Sequence, residues 1–280
     1  MKRTGAIIQA RMGSGRLPGK VLLELPPGSS LTVLDSIISR ARRSSSLDAV
    51  IIATSLNKAD DAIAAFSKLR KTPCFRGDEA NVLSRYCAAA AAYNFNTVVR
   101  LTGDNPCVDP ALVDSTVRAH NKLSADYTYT SGYPLGIDVE VFDLKALKFA
   151  GLNASKQYEK EHVSPYLLSN PARFKIVKLK APAALRTPEI RLTMDTREDY
   201  IALCAIFDLK PKSGKFFSSR DFIHLYQKHK WIKLLNGSIP QKNLVMDRNG
   251  ELLEARRILK TYGLDYAASL MQAAAKRYKD

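Results

Sequence analysis

Acidic residues are scarce in this chain. Its 280 residues include 43 lysines and arginines against 27 aspartates and glutamates, a net charge of +16. An acidic, self-repelling solvating segment is excluded. The surplus favours anionic partners: nucleotides, phosphorylated or carboxylated sugars, nucleic acid or an acidic membrane surface. Cysteine is also scarce. Cys74, Cys87, Cys107 and Cys204 are scattered, with no C-x-x-C pair, which argues against a zinc site and a disulfide framework. Each is expected in or near the core as a small hydrophobe. Aromatics make up 8% of the chain, with one tryptophan, few for a module that stacks bases. Trp231 reads as a packing anchor. Long apolar runs are missing. The longest stretch without a formal charge, Tyr86 to Val99, contains Asn94, Asn96 and Thr97. It falls short of the roughly 20 residues of a membrane helix. Met1-Lys2-Arg3-Thr4 leads into a run too short for a signal-peptide core. A soluble cytoplasmic protein with no membrane insertion is expected. No repeat is visible.

Both familiar phosphate fingerprints are missing too. The stretch Ala10-Arg11-Met12-Gly13-Ser14-Gly15-Arg16-Leu17-Pro18-Gly19-Lys20 follows the apolar run Ala6-Ile7-Ile8. Counting back from Gly19-Lys20, Ser14 stands where a Walker A loop needs its first glycine, and Val21 stands where it needs a hydroxyl. In the dinucleotide pattern G-x-G-x-x-G, Pro18 takes the third glycine position. What is present is a loop: its glycines and proline deny it helix or strand. Arg11, Arg16 and Lys20 sit among backbone amides that few side chains cover, which makes a site for an anion, above all a chain of phosphates. The competing reading is a basic surface turn.

Strands and helices alternate through the first half. Residues 6–9, 49–53, 72–75 and 97–101 read as strands. Helices are expected from Thr32, where Asp35 completes a capping box, near 60–69, over 81–93, and from Asp109-Pro110. This rhythm predicts a mostly parallel or mixed central sheet with helices on both faces. The basic loop follows the first strand, and Gly103-Asp104-Asn105-Pro106 follows a later one, so both loops are expected to face one crevice. The rhythm breaks after residue 124. Residues 127–130 and 138–142 read as strands joined by a turn at 132–136. Residues 157–168 read as one helix, 174–179 and 190–193 as strands, and a helix starts at Thr196. Composition shifts at Lys210. Lys210 to Lys233 holds seven lysines and arginines against one acid, Asp221, and helices follow from Glu251. The expected division is a catalytic domain over 1–209 and a basic, mostly helical extension over 210–280.

Two aspartates could hold a magnesium ion, which takes oxygen ligands from one or two carboxylates plus substrate phosphates. Asp104 opens Gly-Asp-Asn-Pro, equally a good turn. Asp195 precedes Thr196, which with Asp199 can form the capping box by itself and leave Asp195 free. His162 reads as a half-buried helix residue with a part in acceptor contact; His120, His224 and His229 show no metal spacing.

The order of these motifs carries a resemblance. An A-R-x-x-S-x-R-x-x-x-K loop, Arg76-Gly77-Asp78, Gly103-Asp104-Asn105-Pro106 and Met194-Asp195-Thr196-Arg197-Glu198-Asp199 occur in turn. The chain resembles the nucleotidyltransferases of the CMP-sugar synthetase type. Within them it is most similar to the group of the spore-coat polysaccharide F protein and the pseudaminic acid cytidylyltransferases, over roughly residues 5–207. The resemblance implies a nucleotide-diphospho-sugar transferase fold of the GT-A kind, CTP as substrate, Mg²⁺ as cofactor, and a homodimer. It implies that Arg11, Gly13, Ser14, Gly15, Arg16 and Lys20 hold the triphosphate, and that Ala10, Gly77, Asp78, Leu83 and Ser84 lie against cytosine and ribose. It implies that Asp104 and Asp195 bind the metal, and that Asp138, Glu140, Lys160, Glu161, His162 and Tyr166 line the acceptor pocket. Sialate-type members often carry arginines just before the Glu-His-Val segment; this chain has Gln157-Tyr158-Glu159-Lys160. A small anionic sugar or polyol derivative is expected as acceptor, with surface polysaccharide or glycan synthesis as the setting.

Two other readings stay open on sequence. A glycosyltransferase of the same fold kind could use Asp138-Val139-Glu140 as a loose D-x-D. A basic nucleic-acid-binding protein would account for the charge, although no recognition module is visible and no specific nucleic acid is expected.

Overall fold

The computed structural model describes residues 2–211, 214, 216–239 and 248–277. It divides into a unit Met1–Ser238 and a unit Ile239–Asp280.

The larger unit is a seven-stranded sheet between two helical layers. The first half alternates β1 (Thr4–Gln9), α1 (Val33–Ala41), β2 (Ala49–Ser55), α2 (Asp61–Leu69), β3 (Cys74–Gly77), α3 (Val82–Ala92), β4 (Thr97–Thr102) and α4 (Pro110–Leu123). The second half adds β5 (Tyr127–Ser131), β6 (Glu140–Asp143), α5 (Leu144–Asn153), α6 (Gln157–His162), α7 (Pro165–Leu168), β7 (Ile176–Lys180), α8 (Arg197–Leu209), α9 (Ser219–Lys228) and α10 (Lys230–Asn236). The sheet order is β3-β2-β1-β4-β6-β5-β7. β3, β2, β1 and β4 are parallel, and β6 runs antiparallel to both β4 and β5. This is the expected mixed α/β sheet with helices on both faces.

Alternation along β1 divides the core. Ala6 and Ile8 face a cluster with Leu34, Ile37, Val113, Leu203 and Phe222; Ile7 faces Leu83, Tyr86, Phe142 and Leu147 on the other side. Each fully buried aliphatic side chain contributes about 1.5–3 kcal/mol, and a strand buried on both faces reads as a continuous apolar run. The helix starts follow local chemistry: Thr32 with Asp35 and Thr196 with Asp199 form capping boxes, and Asp109 caps α4 with Pro110 in its first turn.

Four sequence expectations are corrected. Residues 157–168 are two short helices, because Val163 turns the chain at φ 70, outside the helical region. Residues 190–193 form no strand; Arg191 makes an isolated bridge to Leu135. α5 was not expected at all. Trp231 is no anchor: it is 47% exposed, with its ring near His229. The four cysteines are free; Cys107 is buried and the others half-buried.

The larger unit runs past the composition shift at Lys210. α9 explains why. Phe222, Ile223 and Tyr226 form an apolar face buried in the core, and the helix's lysine and arginine lie on the exposed side. In the second unit, α11 (Arg248–Thr261) and α12 (Asp265–Arg277) pack against each other across a turn at Gly263, φ 70. No helix among the described residues is long and apolar enough to cross a membrane.

Candidate active site

β1 lies between β2 and β4, so the sheet order reverses there, and the loops leaving β1 and β4 open a crevice beyond their carboxyl ends. Gly103 brings the two loops together. Its N–H donates to the Gln9 carbonyl at 2.8 Å, and a Cβ at this position would lie 2.9 Å from that oxygen. The segment before α8 is tied in next: the Met194 N–H donates to the Asp104 carbonyl at 2.8 Å. Three distant pieces of sequence are thereby fixed side by side.

Their charged side chains meet on one atom. The buried Lys20 Nζ donates to Asp104 Oδ2 at 2.7 Å and to Asp195 Oδ1 at 3.0 Å. Arg16 approaches the same Asp195 oxygen at 3.2 Å, and Arg191 stands 3.8 Å from its other oxygen. Asp195 is spared from capping, as the Thr196–Asp199 box implied, and its carboxylate is taken up by these cations instead. Burial alone would raise the Asp104 carboxyl; the Lys20 charge and hydrogen bond outweigh it, with help from Thr102, and hold it below the usual range. One cation within 3.0 Å of both carboxylates means that the pair shares a single cation-sized position. Two carboxylates side by side below a basic loop are a hard-oxygen donor set, so the residues fit Mg²⁺. No cluster of three or more acidic, histidine or cysteine ligands exists among the described residues.

The basic loop is held at its root and open at its tip. Gly19 sits at φ 69, and its N–H donates to the Met12 carbonyl at 3.0 Å. Arg11, Gly13, Gly15 and Arg16 are exposed, and a Cβ on Gly13 or Gly15 would meet nothing within 4 Å. Ser14 accepts weakly from the Leu17 N–H at 3.4 Å. The root is Asp60, which the sequence reading missed. Its Oδ1 accepts from the Met12 N–H at 2.7 Å, and its Oδ2 takes the Ser55 hydroxyl and N–H. Burial pushes this carboxyl up, but those hydrogen bonds prevail and keep it below the usual range. In sequence Asp60 looks like an ordinary residue at a helix start.

Of the expected cytosine and ribose contacts, Ala10 and Leu83 are buried, Gly77 and Ser84 half-buried, and Asp78 exposed. Ala10 N–H donates to Ala53 at 3.1 Å, continuing the sheet to the crevice edge. Gly77 permits the packing of Arg85, whose side chain a Cβ would meet at 3.0 Å. Asp78 caps the turn into α3 through the Asn81 N–H at 2.8 Å.

The expected acceptor residues divide in two. β6 runs antiparallel to β4, so its start lies at the crevice end of the sheet. Asp138 stands there, half-buried. Burial, then the neighbouring Glu140 carboxylate, pushes its carboxyl up to about 7, against the Gly136 amide and its own. Gly136 itself, at φ 100, is pressed against 192–193, where a Cβ would clash with backbone at 2.6 Å. Glu140 is committed to the framework, paired with Arg100 and accepting from the Tyr127 hydroxyl. Tyr166 stacks at an angle on Phe149 and Phe174. Lys160, Glu161 and His162 lie half-buried at the end of α6, and Glu161 reaches Arg11 of the basic loop at 4.0 Å. Val163 follows at φ 70, a strained conformation for a β-branched residue.

Comparison with known proteins decides among the three readings that the sequence left open. The cytidylyltransferase family model matches residues 5–252. The chain is 41% identical over 206 residues to the spore coat polysaccharide biosynthesis protein SpsF of Bacillus subtilis, covering 72% of this chain and 85% of that protein. It is 38% identical over 240 residues to an uncharacterized protein of Methanocaldococcus jannaschii, covering 85% and 96%. The structure of a cytidylyltransferase from Leptospira borgpetersenii serovar Hardjo-bovis matches with a TM-score of 0.77 at 31% identity, covering 86% of this chain and 100% of that one. On the extent of these matches this chain belongs to the cytidylyltransferase family, as a nucleotidyltransferase enzyme.

Proposed function

We propose that this enzyme transfers CMP from CTP to a small anionic sugar or polyol derivative, releasing pyrophosphate. The observation that carries the reading is the contact of Lys20 with both Asp104 and Asp195 beneath a loop bearing Arg11 and Arg16. On this reading Arg11, Arg16 and Lys20, with the amides of Gly13, Ser14 and Gly15, bind the triphosphate. Ala10, Gly77, Asp78, Leu83 and Ser84 bound the cytidine. Asp104 and Asp195 hold Mg²⁺, which when bound offsets charge on the phosphate oxygens.

An acceptor oxygen attacks the α-phosphorus in line. The new P–O bond forms as the bond to the bridging oxygen breaks, and pyrophosphate departs with that electron pair. Arg11, Arg16 and Lys20 offset the charge it carries away. No covalent enzyme intermediate is required, so catalysis is positioning and electrostatics. Two anions must approach closely, and Lys160 and His162 supply positive or donor groups on the acceptor side. Asp138 accepts from acceptor hydroxyls, with Glu140 behind it holding the strand start through Arg100 and Tyr127. A phosphate acceptor gives a CDP-linked product; a carboxylate, or a hydroxyl that gives up its proton to water as it attacks, gives a CMP-linked one. The absence of arginines before Glu161 favours phosphate. The setting we infer is synthesis of surface polysaccharide or glycan precursors.

The test is pyrophosphate release from each NTP with Mg²⁺ against a panel of phosphorylated, carboxylated and neutral sugars and polyols, with mass spectrometry of the product. CTP with an anionic acceptor is expected to give the highest kcat/KM. A neutral acceptor as the best substrate would overturn the reading.

A further inference from the structure

Behind Asp195 lies a buried polar network that no part of the proposed chemistry uses. Its far end is in the segment beyond Lys210. Asn236, at the end of α10, is fully buried. Its amide donates to the Arg191 carbonyl at 3.2 Å and to Asp199 Oδ1 at 3.1 Å, and its oxygen accepts from the Tyr226 hydroxyl at 3.1 Å. The amide can face only one way, because a carbonyl and a carboxylate accept and cannot donate. Asp199, also fully buried, takes Arg191 through both oxygens, at 3.1 and 2.9 Å. Its Oδ2 also accepts from the backbone N–H of Asp195 at 3.1 Å and of Thr196 at 3.3 Å.

We propose that Asn236, oriented by Tyr226, is a positioning residue for Asp195, acting through Asp199 and Arg191. This rests on reading Asp195 as a metal ligand. The physical argument concerns where the Arg191 charge goes. Its guanidinium lies between two carboxylates, 2.9 Å from Asp199 and 3.8 Å from Asp195. Held on Asp199, it leaves the Asp195 charge for a cation in the crevice. Released, it can close on Asp195 as a bidentate pair, the stronger geometry, and compete with that cation. Asn236 donates into the remaining acceptor place on Asp199 Oδ1 and pins the Arg191 carbonyl, fixing both partners of the pair. The same carboxylate sets the direction of the Asp195 backbone. Groups that orient a metal ligand from behind typically change metal affinity by about 10–100-fold when removed. Tyr226 of α9 and Asn236 of α10 thus position the site from behind, although the surrounding sequence reads as a basic extension.

The test is Mn²⁺ binding, followed by EPR in the presence of CTP and without acceptor, for the full-length protein and four variants. Asp195→Asn is expected to weaken Mn²⁺ binding by at least about tenfold, and Asn236→Leu by about tenfold. Tyr226→Phe removes one hydroxyl, leaves the packing intact, and is expected to cost about threefold, a fraction of the full outer-shell effect. Trp231→Ala, on the exposed side of α10, is expected to bind Mn²⁺ as the wild type does. CTP affinity without metal is expected to stay within about twofold in Asn236→Leu and Tyr226→Phe, which separates a positioning role from general loosening of the fold. If Asn236→Leu fails to fold, Tyr226→Phe decides. Wild-type Mn²⁺ affinity in the foldable variants, with Asp195→Asn weakened, overturns the positioning role and leaves the site standing. Wild-type affinity in Asp195→Asn overturns the reading of the site itself.

Discussion

The two sides of the crevice are built differently. On the side proposed for the nucleotide, Asp104, Asp195, Lys20 and Arg16 are locked together by ion pairs, and Asp60 roots the loop with further hydrogen bonds. On the side proposed for the acceptor, Val163 is strained and Glu161 reaches Arg11 only at 4.0 Å. Two aspartates make the contrast plain. Asp104 and Asp138 stand at the same end of neighbouring strands. Lys20 holds the first below the usual carboxylate range, while burial and Glu140 push the second up to about 7. Fixed charge suits a triphosphate, whose charge is the same in every turnover. A carboxyl able to change state suits the anionic, hydroxyl-bearing acceptor proposed for the other side.

The most severe way to break this contrast is to remove the charge at its centre. Lys20→Met is expected to lower kcat/KM for CTP by about 10²–10³, the cost of losing one donor aimed at developing charge. Arg16→Ala is expected to fall in the same range. Next come the carboxylates. Asp104→Asn and Asp195→Asn are each expected to cut turnover by on the order of 10² with the fold intact by circular dichroism. Full activity in both variants would refute the metal assignment.

Asp138→Asn sharpens the comparison from the other side. In the wild type the acceptor KM is expected to rise as pH falls below about 7, because protonation turns one carboxylate oxygen from an acceptor into a donor and weakens the hydrogen bonds it takes from acceptor hydroxyls. The variant is expected to show a high, pH-independent KM. Stability moves the opposite way. A carboxyl raised in the folded state stabilises the fold at low pH, and that contribution is lost as pH rises through about 7. Asp138→Asn is therefore expected to melt a few degrees above wild type at pH 8, where 1 kcal/mol corresponds to roughly 2–4 °C, with the gap closing toward pH 4. A variant less stable than wild type at pH 8 would contradict the account of Asp138. The smallest effect is expected for Lys228→Ala, exposed on α9, with kcat/KM changed by less than about twofold.

The sequence made the nucleotide side legible because its elements are local. The basic loop, the capping boxes at Thr32 and Thr196, and Asp109-Pro110 are each written in a few consecutive residues. The parallel rhythm then brought two loops to one crevice. What escaped depends on register or on distant partners. Asp60 serves a loop 48 residues away. Glu140 looks like a ligand until β6 is paired with β4, which sets it beside Arg100. Helical spacing hides the break at Val163. Asn236 sits among lysines whose charge dominates the composition, while its own amide faces inward. The lysine-rich stretch after Lys210 suggested a separate extension, but the apolar face of α9 places it in the larger unit.

The basic loop and the Asp104–Asp195 pair are proposed to form one nucleotide site that selects CTP with a divalent metal. Calorimetric titration of CTP, ATP, GTP and UTP into the full-length protein, with and without Mg²⁺, tests it most directly, with Asp104→Asn titrated alongside. CTP is expected to bind at least about tenfold tighter than the other three, a difference of about 1.4 kcal/mol. The gain in affinity from Mg²⁺ is expected to vanish in Asp104→Asn. Equal affinity for all four nucleotides, or a Mg²⁺ gain that survives in that variant, would contradict the account.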